Sequence, residues 1–266
     1  MKIAVCVKQV PDSWAEKRMV HALLDRGGVD AVLNDLDEYA VEEALRIVEA
    51  QGGNGEAGPH SVTLISMGPA RSADAIRKGL SMGADSGILI TDDALTGSDA
   101  LATSKVLAAV IKDGDFDLVF CGTESTDARM SVIPAMLAQR LGWAQLTFAG
   151  SVTVDSGARS AMITRVTELG VETMKAQFPA VISVIDKINE PRYPSFKGIM
   201  ASKKKPIDTR NLATVGVDTL SVGASGARTV VIDATQRPAR TAGIKVVDDG
   251  RGGEALASFL AEKKFI

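Results

Sequence analysis

The sequence has few of the side chains that most often carry metal and redox chemistry. Its 266 residues include only two histidines and two cysteines. His21 and His60 stand in polar surroundings without a companion at ligand spacing, so a zinc site would need ligands that the chain does not supply, and we expect both to be solvated. Cys6 and Cys121 lie in apolar, strand-like runs and no Cys-x-x-Cys occurs, which favours buried thiols over redox chemistry.

An excess of positive charge and a long apolar run are also missing. The chain has 30 basic and 33 acidic residues, a formal charge of −3, and so lacks the global positive field on which nucleic-acid binding depends. The first apolar run ends at Lys8, which is too short for a signal-peptide core and far short of the about 20 residues that span a bilayer. These absences predict a cytoplasmic protein with no nucleic-acid partner and no membrane insertion.

The standard nucleotide-binding fingerprints do not occur. The first predicted strand runs into Gln9-Val10-Pro11-Asp12 in place of a Gly-x-Gly-x-x-Gly turn, and the chain has no Gly-Lys-Ser/Thr phosphate loop. An enzyme that cleaves an adenine nucleotide would need a phosphate-gripping loop after that strand. The composition, 45% apolar with only 4% aromatic residues, is typical of an α/β protein rich in Ala, Val, Ile and Leu.

What the first half does contain is an alternation of strand and helix patterns. Apolar runs predict strands at 2–7, 61–66, 86–91 and 117–121, and helical periodicity predicts helices at 37–50, from Ser72 to Gly83, at 99–112 and after the loop 122–130. Asp35 followed by Glu38 resembles a capping box at the first helix. This alternation predicts a doubly wound, mostly parallel sheet of the Rossmann-like, adenine-nucleotide-binding type.

The second half changes to β-rich runs and then to a polar tail. Runs at 146–154, 160–166 and 180–184 predict added, partly antiparallel strands, and short apolar stretches precede an amphipathic segment at 254–260. We expect a nucleotide-binding domain with added strands over 1–186, a partner-recognition loop with a basic segment over 187–205, and over 206–266 a C-terminal arm that packs on a partner subunit. A loosely ordered terminus is an equally ordinary interpretation of the tail.

Three polar segments follow predicted strands or open a predicted helix, and parallel strands bring such segments to one edge. Residues 122–129 combine hydroxyls, amides next to a glycine and a helix N-terminus, which together can bind an anion, although an ordinary capped loop fits equally well. Residues 34–37 and 66–69 fall on the same rim. In an open α/β sheet this is the edge where ligands bind, so the three segments outline a crevice.

A further unusual stretch covers residues 187–205. It places aromatic and apolar residues between two prolines and the basic cluster Lys203–Lys205. Buried apolar side chains beside a solvated charge run would be the usual explanation. Exposed aromatic anchors beside flexible positive charge are, however, also what a protein-docking loop needs.

Taken together, these segments resemble the β subunit of electron transfer flavoproteins over nearly the whole length. The matching pieces are 5–10, 34–44, 79–85 and, most specifically, Asn-Glu-Pro-Arg-Tyr-Pro-Ser-Phe-Lys-Gly-Ile-Met at 189–200 with the lysines that follow. Two stretches depart from the family. Leu169 replaces a small or acidic residue in the Arg-x-x-Glu-Gly-Gly-x-Glu stretch, and residues 125–134 lack the Gln and Gly that many members carry after the aspartate.

The resemblance implies a non-catalytic electron carrier in fatty-acid β-oxidation. In the family, the β subunit pairs with an α subunit that makes most of the FAD contacts, and AMP lies in the crevice of the β subunit. Electrons would come from acyl-CoA or other flavin dehydrogenases and pass to the respiratory chain through a quinone-reducing oxidoreductase. A bifurcating relative with a second FAD in place of AMP stays open, as does a stand-alone adenine-nucleotide-binding module, which would leave residues 189–205 and the tail unexplained.

The resemblance also assigns residues to each role. The implied nucleotide-site residues are Cys6, Asn34, Asp35, Leu36, Asp37, Met67, Gly122, Thr123, Glu124, Ser125, Thr126, Asp127, Ala128, Arg129, Met130, Ser131, Val132 and Ile133. The implied dehydrogenase-recognition residues are Tyr193, Pro194, Ser195, Phe196, Lys197, Gly198, Ile199 and Met200, with the apolar side chain of Phe196 entering a pocket on the dehydrogenase. We expect no catalytic residue and no metal site.

Overall fold

The computed structural model describes residues 1–20, 23–55, 58–235, 237–243 and 245–266. His21, which we expected to be solvated, lies outside these residues. The chain divides into two compact units, Met1–Ile232 and Asp233–Ile266. The predicted arm, 206–266, stays a prediction as a docking element, but its first residues belong to the larger unit.

Strands and helices alternate along much of the first half of the chain. The strands are β1 (Lys2–Cys6), β2 (Gln9–Pro11), β3 (Met19–Val20), β4 (Leu23–Leu24), β5 (Ala31–Leu33), β6 (Ser61–Met67), β7 (Ser86–Ile90), β8 (Leu118–Gly122), β9 (Ala144–Ala149), β10 (Ser151–Asp155), β11 (Ser160–Thr167), β12 (Gly170–Gln177), β13 (Ala180–Val184) and β14 (Ile207–Arg210). The α-helices are α1 (Asp35–Ala50), α2 (Ala73–Met82), α3 (Ala100–Asp113), α4 (Ile133–Leu141), α5 (Phe196–Ser202), α6 (Gly223–Gly226) and α7 (Gly252–Glu262).

The central sheet has seven strands in the order β14-β7-β6-β1-β8-β13-β9, and each neighbouring pair is parallel. Because successive side chains of a strand point to opposite faces, Ile3 and Val5 of β1 join a core cluster with α1 and α2, whereas Ala4 and Cys6 join one with α3 and α4. Apolar residues on both faces are what a sheet covered by helices requires. The predicted mostly parallel α/β fold is confirmed.

The order of the strands defines where a ligand can bind. From β1 the chain builds β6 and β7 on one side and then crosses over to place β8 and β13 on the other side. The direction of winding therefore reverses at β1, and the crevice at such a reversal, outside the carboxyl ends of the strands, is the usual ligand site of open α/β sheets. This edge holds the residues that the resemblance implied.

The added strands are partly antiparallel, as predicted, but the run 146–154 is not one strand. Its first part is β9, an edge strand parallel to β13, and its second part is β10, which pairs with β11 and β12 in an antiparallel sheet. The break falls near Phe148, whose φ of 62° is left-handed. Our prediction omitted β12 and β14 because neither carries a clear apolar alternation.

Two local predictions are wrong. Asp35 is the first residue of α1, not its cap, and the capping position belongs to Asn34, whose side chain makes no capping hydrogen bond. His60 is half-buried, not solvated, since its Nδ1 lies 2.7 Å from the nitrogen of Met1 and its Nε2 lies 2.9 Å from the carbonyl oxygen of Gln51. Both cysteines are free and buried, as predicted.

The smaller unit contains α7, which covers the segment that we predicted to be amphipathic at 254–260. None of the residues of α7 is buried. Across the described ranges, no helix has both the length and the apolar character that crossing a bilayer requires.

Candidate functional site

Asn34 ties the start of α1 to the loop after β8. Its side chain is completely buried, and both ends of its amide are used. Nδ2 donates to the carbonyl oxygen of Glu124 at 2.9 Å, and Oδ1 accepts from the backbone N–H of Thr126 at 3.0 Å. The structure therefore brings two of the three segments of the predicted crevice together through one side chain.

Gly122 allows β8 to approach α1 closely. A Cβ atom at this position would lie 2.6 Å from Oδ1 of Asp37 and 2.6 Å from the carbonyl oxygen of Leu36. The second atom belongs to the backbone and cannot rotate away, so any larger residue would push the strand and the helix apart. The other carboxylate oxygen of Asp37, Oδ2, accepts from the backbone N–H of Lys8 at 2.8 Å.

Asp37 is a buried acid at the floor of this junction. Burial raises the pKa of its carboxyl from 3.8 to about 7, and hydrogen bonds from Asn34 and the backbone of Lys8 oppose the rise only in part. The carboxyl therefore changes from its protonated to its ionised form near neutral pH.

Asp127 has the opposite electrostatic environment. Its carboxylate accepts from Nζ of Lys8 at 2.7 Å and from Nε of Arg26 at 2.8 Å. Burial alone would raise the pKa of Asp127, but the positive charge of Lys8 and the hydrogen bonds to the carboxylate outweigh it and hold the pKa at about 2. Lys8 and Arg26 thus bring two cations to one carboxylate at this rim.

The end of the loop offers free backbone donors. Arg129 and Ser131 have left-handed φ angles of 49° and 55°, and Oγ of Ser131 donates to Oε2 of Glu124 at 2.9 Å. In the part of the chain that the structure describes, the N–H groups of residues 130–133 donate to no protein acceptor. They lead into α4, which begins at Ile133, and unpaired N–H groups at a helix N-terminus bind anions.

The remaining residues of the predicted crevice lie at the ends of β1 and β6. Met67 is half-buried, and next to it the hydroxyl of Ser66 is buried without a hydrogen-bond partner in the described residues. Cys6 is paired in register with Cys121, and the hydrogen bond from Cys6, together with burial, raises the pKa of the Cys121 thiol. A thiol with a raised pKa reacts poorly, so Cys121 acts as a packing residue.

These features can bind an anionic ligand such as a phosphate group. The free N–H groups of residues 130–133 suit a phosphate group, and the hydroxyl of Ser66 is a buried donor that still needs a partner. A cavity of about 430 Å³ also opens beside the start of α1, lined by residues that include Trp14, Asp35, Glu38 and Lys78.

Sequence reasoning missed Lys8 and Arg26. Lys8 directly follows the first strand and could have been included on that signal. Arg26 lies in a polar stretch about one hundred positions from Asp127, and nothing in its local sequence points to that carboxylate.

The segment with the implied recognition residues forms a short helix. Ser195 caps α5 by accepting from the N–H of Gly198 at 3.0 Å. Tyr193 is 95% exposed, Phe196 is 79% exposed, and Ile199 and Met200 are also exposed. The interpretation that these apolar side chains are buried is therefore wrong.

The lysines after this helix differ in their environments. Lys203 and Lys204 are exposed, as expected for a solvated charge run. Lys205 is half-buried, and its Nζ donates to the carbonyl oxygens of Ala84 at 2.5 Å, Leu80 at 3.2 Å and Gly83 at 3.3 Å. Lys205 thus caps the C-terminal end of α2 and is not part of a flexible charge cluster.

Known proteins provide an independent comparison. The family model described as electron transfer flavoprotein domain matches residues 22–215. The electron transfer flavoprotein subunit beta of Mycobacterium tuberculosis (strain ATCC 25618 / H37Rv) is 45% identical over 267 residues, covering 99% of each chain. The proteins of the same name from Megasphaera elsdenii and Bradyrhizobium diazoefficiens are 35% and 37% identical, covering 99% and 93% of this chain and 97% and 94% of their own.

Proposed function

The chain belongs to the electron transfer flavoprotein family, among its β subunits, and on that premise we propose that it forms a heterodimer with an α subunit and carries electrons from flavin dehydrogenases. The donors would be acyl-CoA dehydrogenases or related flavoenzymes, and a quinone-reducing oxidoreductase would pass the electrons to the respiratory chain. The protein would act in the cytoplasm. The observation that carries the proposal is the exposed aromatic pair on the segment of α5, Tyr193 and Phe196.

An FAD held mainly by the α subunit would supply the electron chemistry when bound. The residues of this chain then have binding and positioning roles only. The exposed side chains of the α5 segment would enter a pocket on the dehydrogenase, and the exposed positive charges of Lys203 and Lys204 would steer the approach.

The crevice at β1 and β8 would hold one AMP as a structural ligand. The N–H groups of residues 130–133 would bind its phosphate near the side chains of Lys8 and Arg26. Because a ligand that binds only the folded state adds to the free energy of unfolding, AMP would stabilise the junction of α1 with the loop after β8.

The docking role is tested with Phe196→Ala in the heterodimer. Removing an apolar anchor that fills a partner pocket typically costs ~2 kcal/mol, so the dehydrogenase should bind roughly 30-fold more weakly. Leu220→Ala removes a comparably exposed apolar side chain, 74% exposed, from another part of the same unit and should change nothing. Rates of flavin reduction by the dehydrogenase are measured by stopped-flow absorbance at several dehydrogenase concentrations.

A small artificial electron donor separates docking from damage to the cofactor site. Such a donor needs no docking, so it should reduce the flavin of Phe196→Ala at the wild-type rate. An unchanged dehydrogenase affinity would rule out Phe196 as the anchor. Loss of flavin or of the heterodimer in this variant would instead assign the side chain to the subunit interface.

A further inference from the structure

The segment that carries Tyr193 and Phe196 is held on α1 by one arginine. Nε and Nη2 of Arg192 donate to the two carboxylate oxygens of Glu42 at 2.7 and 3.0 Å, and Nη1 and Nη2 donate to those of Glu49 at 2.5 and 2.9 Å. The two glutamates lie about two helical turns apart on the same face of α1. One planar guanidinium therefore binds two carboxylates bidentately, which is the most specific geometry that an arginine can adopt.

The same end of the segment has a second attachment to α1. Nδ2 of Asn189 donates to the carbonyl oxygen of Tyr39 at 3.1 Å and to Oε2 of Glu43 at 3.0 Å. The backbone N–H of Arg192 also donates to Glu42, at 3.2 Å. The chain is thus fixed to α1 directly before the exposed residues begin.

The other end of the segment is attached to α2. Nη1 of Arg77 donates to the carbonyl oxygens of Ser202 and Lys205, each at 2.6 Å, at the end of α5. Gly198 lies so close to α2 that a Cβ atom there would be 2.5 Å from the carbonyl oxygen of Ser81. Together with the capping contacts of Lys205, these bonds fix the C-terminal end of α5.

Between the two attachments α5 packs on α2 through Gly198, but its large apolar side chains point outward. Ser202 is buried at the end of α5, whereas Phe196, Ile199 and Met200 expose their side chains. If the attachments at its ends were broken, the segment would gain mobility, which it would lose again on binding a partner. The observed affinity then falls by the fraction of molecules whose segment is in the binding-competent arrangement.

From this arrangement we propose that Arg192 and Arg77 are positioning residues, which hold the α5 segment in the conformation that a dehydrogenase binds. The inference rests on the proposed function and extends it, because it assigns part of the docking affinity to side chains that do not touch the partner. Arg192 has the larger role, because it engages Glu42, whose side chain is only 7% exposed. Water cannot take the place of the guanidinium beside a carboxylate that is buried to this extent.

Two variants loosen the N-terminal attachment in different ways. Arg192→Lys keeps the positive charge but loses the bidentate fork, and the double variant Glu42→Gln, Glu49→Gln removes both negative charges with little change of shape. Arg210→Lys is the matched control. Arg210, at the end of the edge strand β14, also contacts two carboxylates, those of Asp208 at 2.7 Å and Asp113 at 3.4 Å. Arg77→Lys tests the second attachment.

Hydrogen exchange of the heterodimer without dehydrogenase measures the conformation of the segment directly. The amides of 196–202 should exchange faster in Arg192→Lys and in the double variant, because amide exchange rises with the fraction of molecules whose segment has left the competent arrangement. If the competent fraction falls to about a tenth, dehydrogenase affinity should fall ~10-fold. The rate at saturating dehydrogenase, the FAD content and reduction by a small artificial donor should stay unchanged. Arg210→Lys should match wild type in every measurement.

Each outcome decides the inference. Unchanged exchange in both N-terminal variants would overturn it, and so would faster exchange with unaltered affinity, which would reduce the attachment to a structural role. If no flavin dehydrogenase reduces even the wild-type heterodimer, the proposed function fails and the positioning role fails with it. A wild type that is reduced, combined with unaffected Arg192→Lys, refutes the positioning role alone.

Discussion

The pH dependence of stability that Asp37 imposes tests the geometry of the crevice. Burial raises the pKa of its carboxyl from 3.8 to about 7. Because the folded-state pKa lies above the unfolded-state value, the stabilisation from this group is fully present below about pH 4 and is lost as the pH rises through 7. A difference of about three in pKa, at ~1.4 kcal/mol each, corresponds to a loss of stability on the order of 4 kcal/mol above pH 7.

Asp37→Asn removes the titration and keeps a side-chain oxygen that can accept from the N–H of Lys8. We expect the variant to lack this part of the pH dependence, so that wild type loses stability relative to Asp37→Asn between pH 5 and pH 8.5. The free energy of unfolding is measured by urea denaturation at both pH values. Subtracting the variant from the wild type removes the contributions of Glu38 and Glu43, whose pKa values burial also raises.

The matched control is Asp35→Asn, which removes one negative charge from an exposed side chain in the same first turn of α1. A difference between wild type and Asp37→Asn that is the same at both pH values would refute the reasoning. It would mean that water or structural relaxation solvates the carboxylate, and that β8 and α1 do not meet as closely as the position of Gly122 indicates.

Two further predictions test separate parts of the structure. Gly122→Ala places a Cβ atom 2.6 Å from the carbonyl oxygen of Leu36, so it should lower the free energy of unfolding by ~1–3 kcal/mol and reduce the AMP content of the heterodimer. Gly157→Ala is the control and should do neither, because the nearest atom to its Cβ would be 3.4 Å away. Equal thermal stability of the two variants would contradict the close approach of β8 to α1. Neutralising Lys203 and Lys204 should slow dehydrogenase association and weaken its salt dependence without loss of stability. Lys205→Ala should instead lower the melting temperature, because it removes the cap of α2. A melting temperature that falls equally in both variants would show that the three lysines act as one cluster.

The central sheet could be predicted because its signals are local. Each of β1, β6, β7 and β8 is a short apolar run, the last three are each followed by a helix with clear periodicity, and these signals do not depend on distant residues. The position of the crevice followed from the same pattern, since parallel strands bring their carboxyl ends to one edge. The family resemblance then supplied the ligand.

The side-chain contacts of the crevice could not be predicted because they join residues far apart in sequence. The local sequence predicts Asn34 as a helix cap, yet its amide forms hydrogen bonds to a loop about ninety positions away. No local sequence pattern predicts a contact over that distance. Lys8 and Arg26 meet at Asp127 for the same reason.

The helix α5 was missed on similar physical grounds. It has seven residues, includes Gly198 and follows Pro194, so its own helix propensity is low. Its stability comes from contacts with α1 and α2 that Arg192, Arg77 and Lys205 make across more than one hundred positions. The same residue types next to prolines suggested a loop.

The most direct test of the proposed function is the cofactor content of the chain co-expressed with its cognate α subunit. The heterodimer is purified by size-exclusion chromatography and denatured, and the released FAD and AMP are quantified per heterodimer. We predict a 1:1 heterodimer that releases one FAD and one AMP. Two flavins without AMP would contradict the assignment of the crevice, and a stable monomer that ignores the α subunit would contradict the β-subunit function itself.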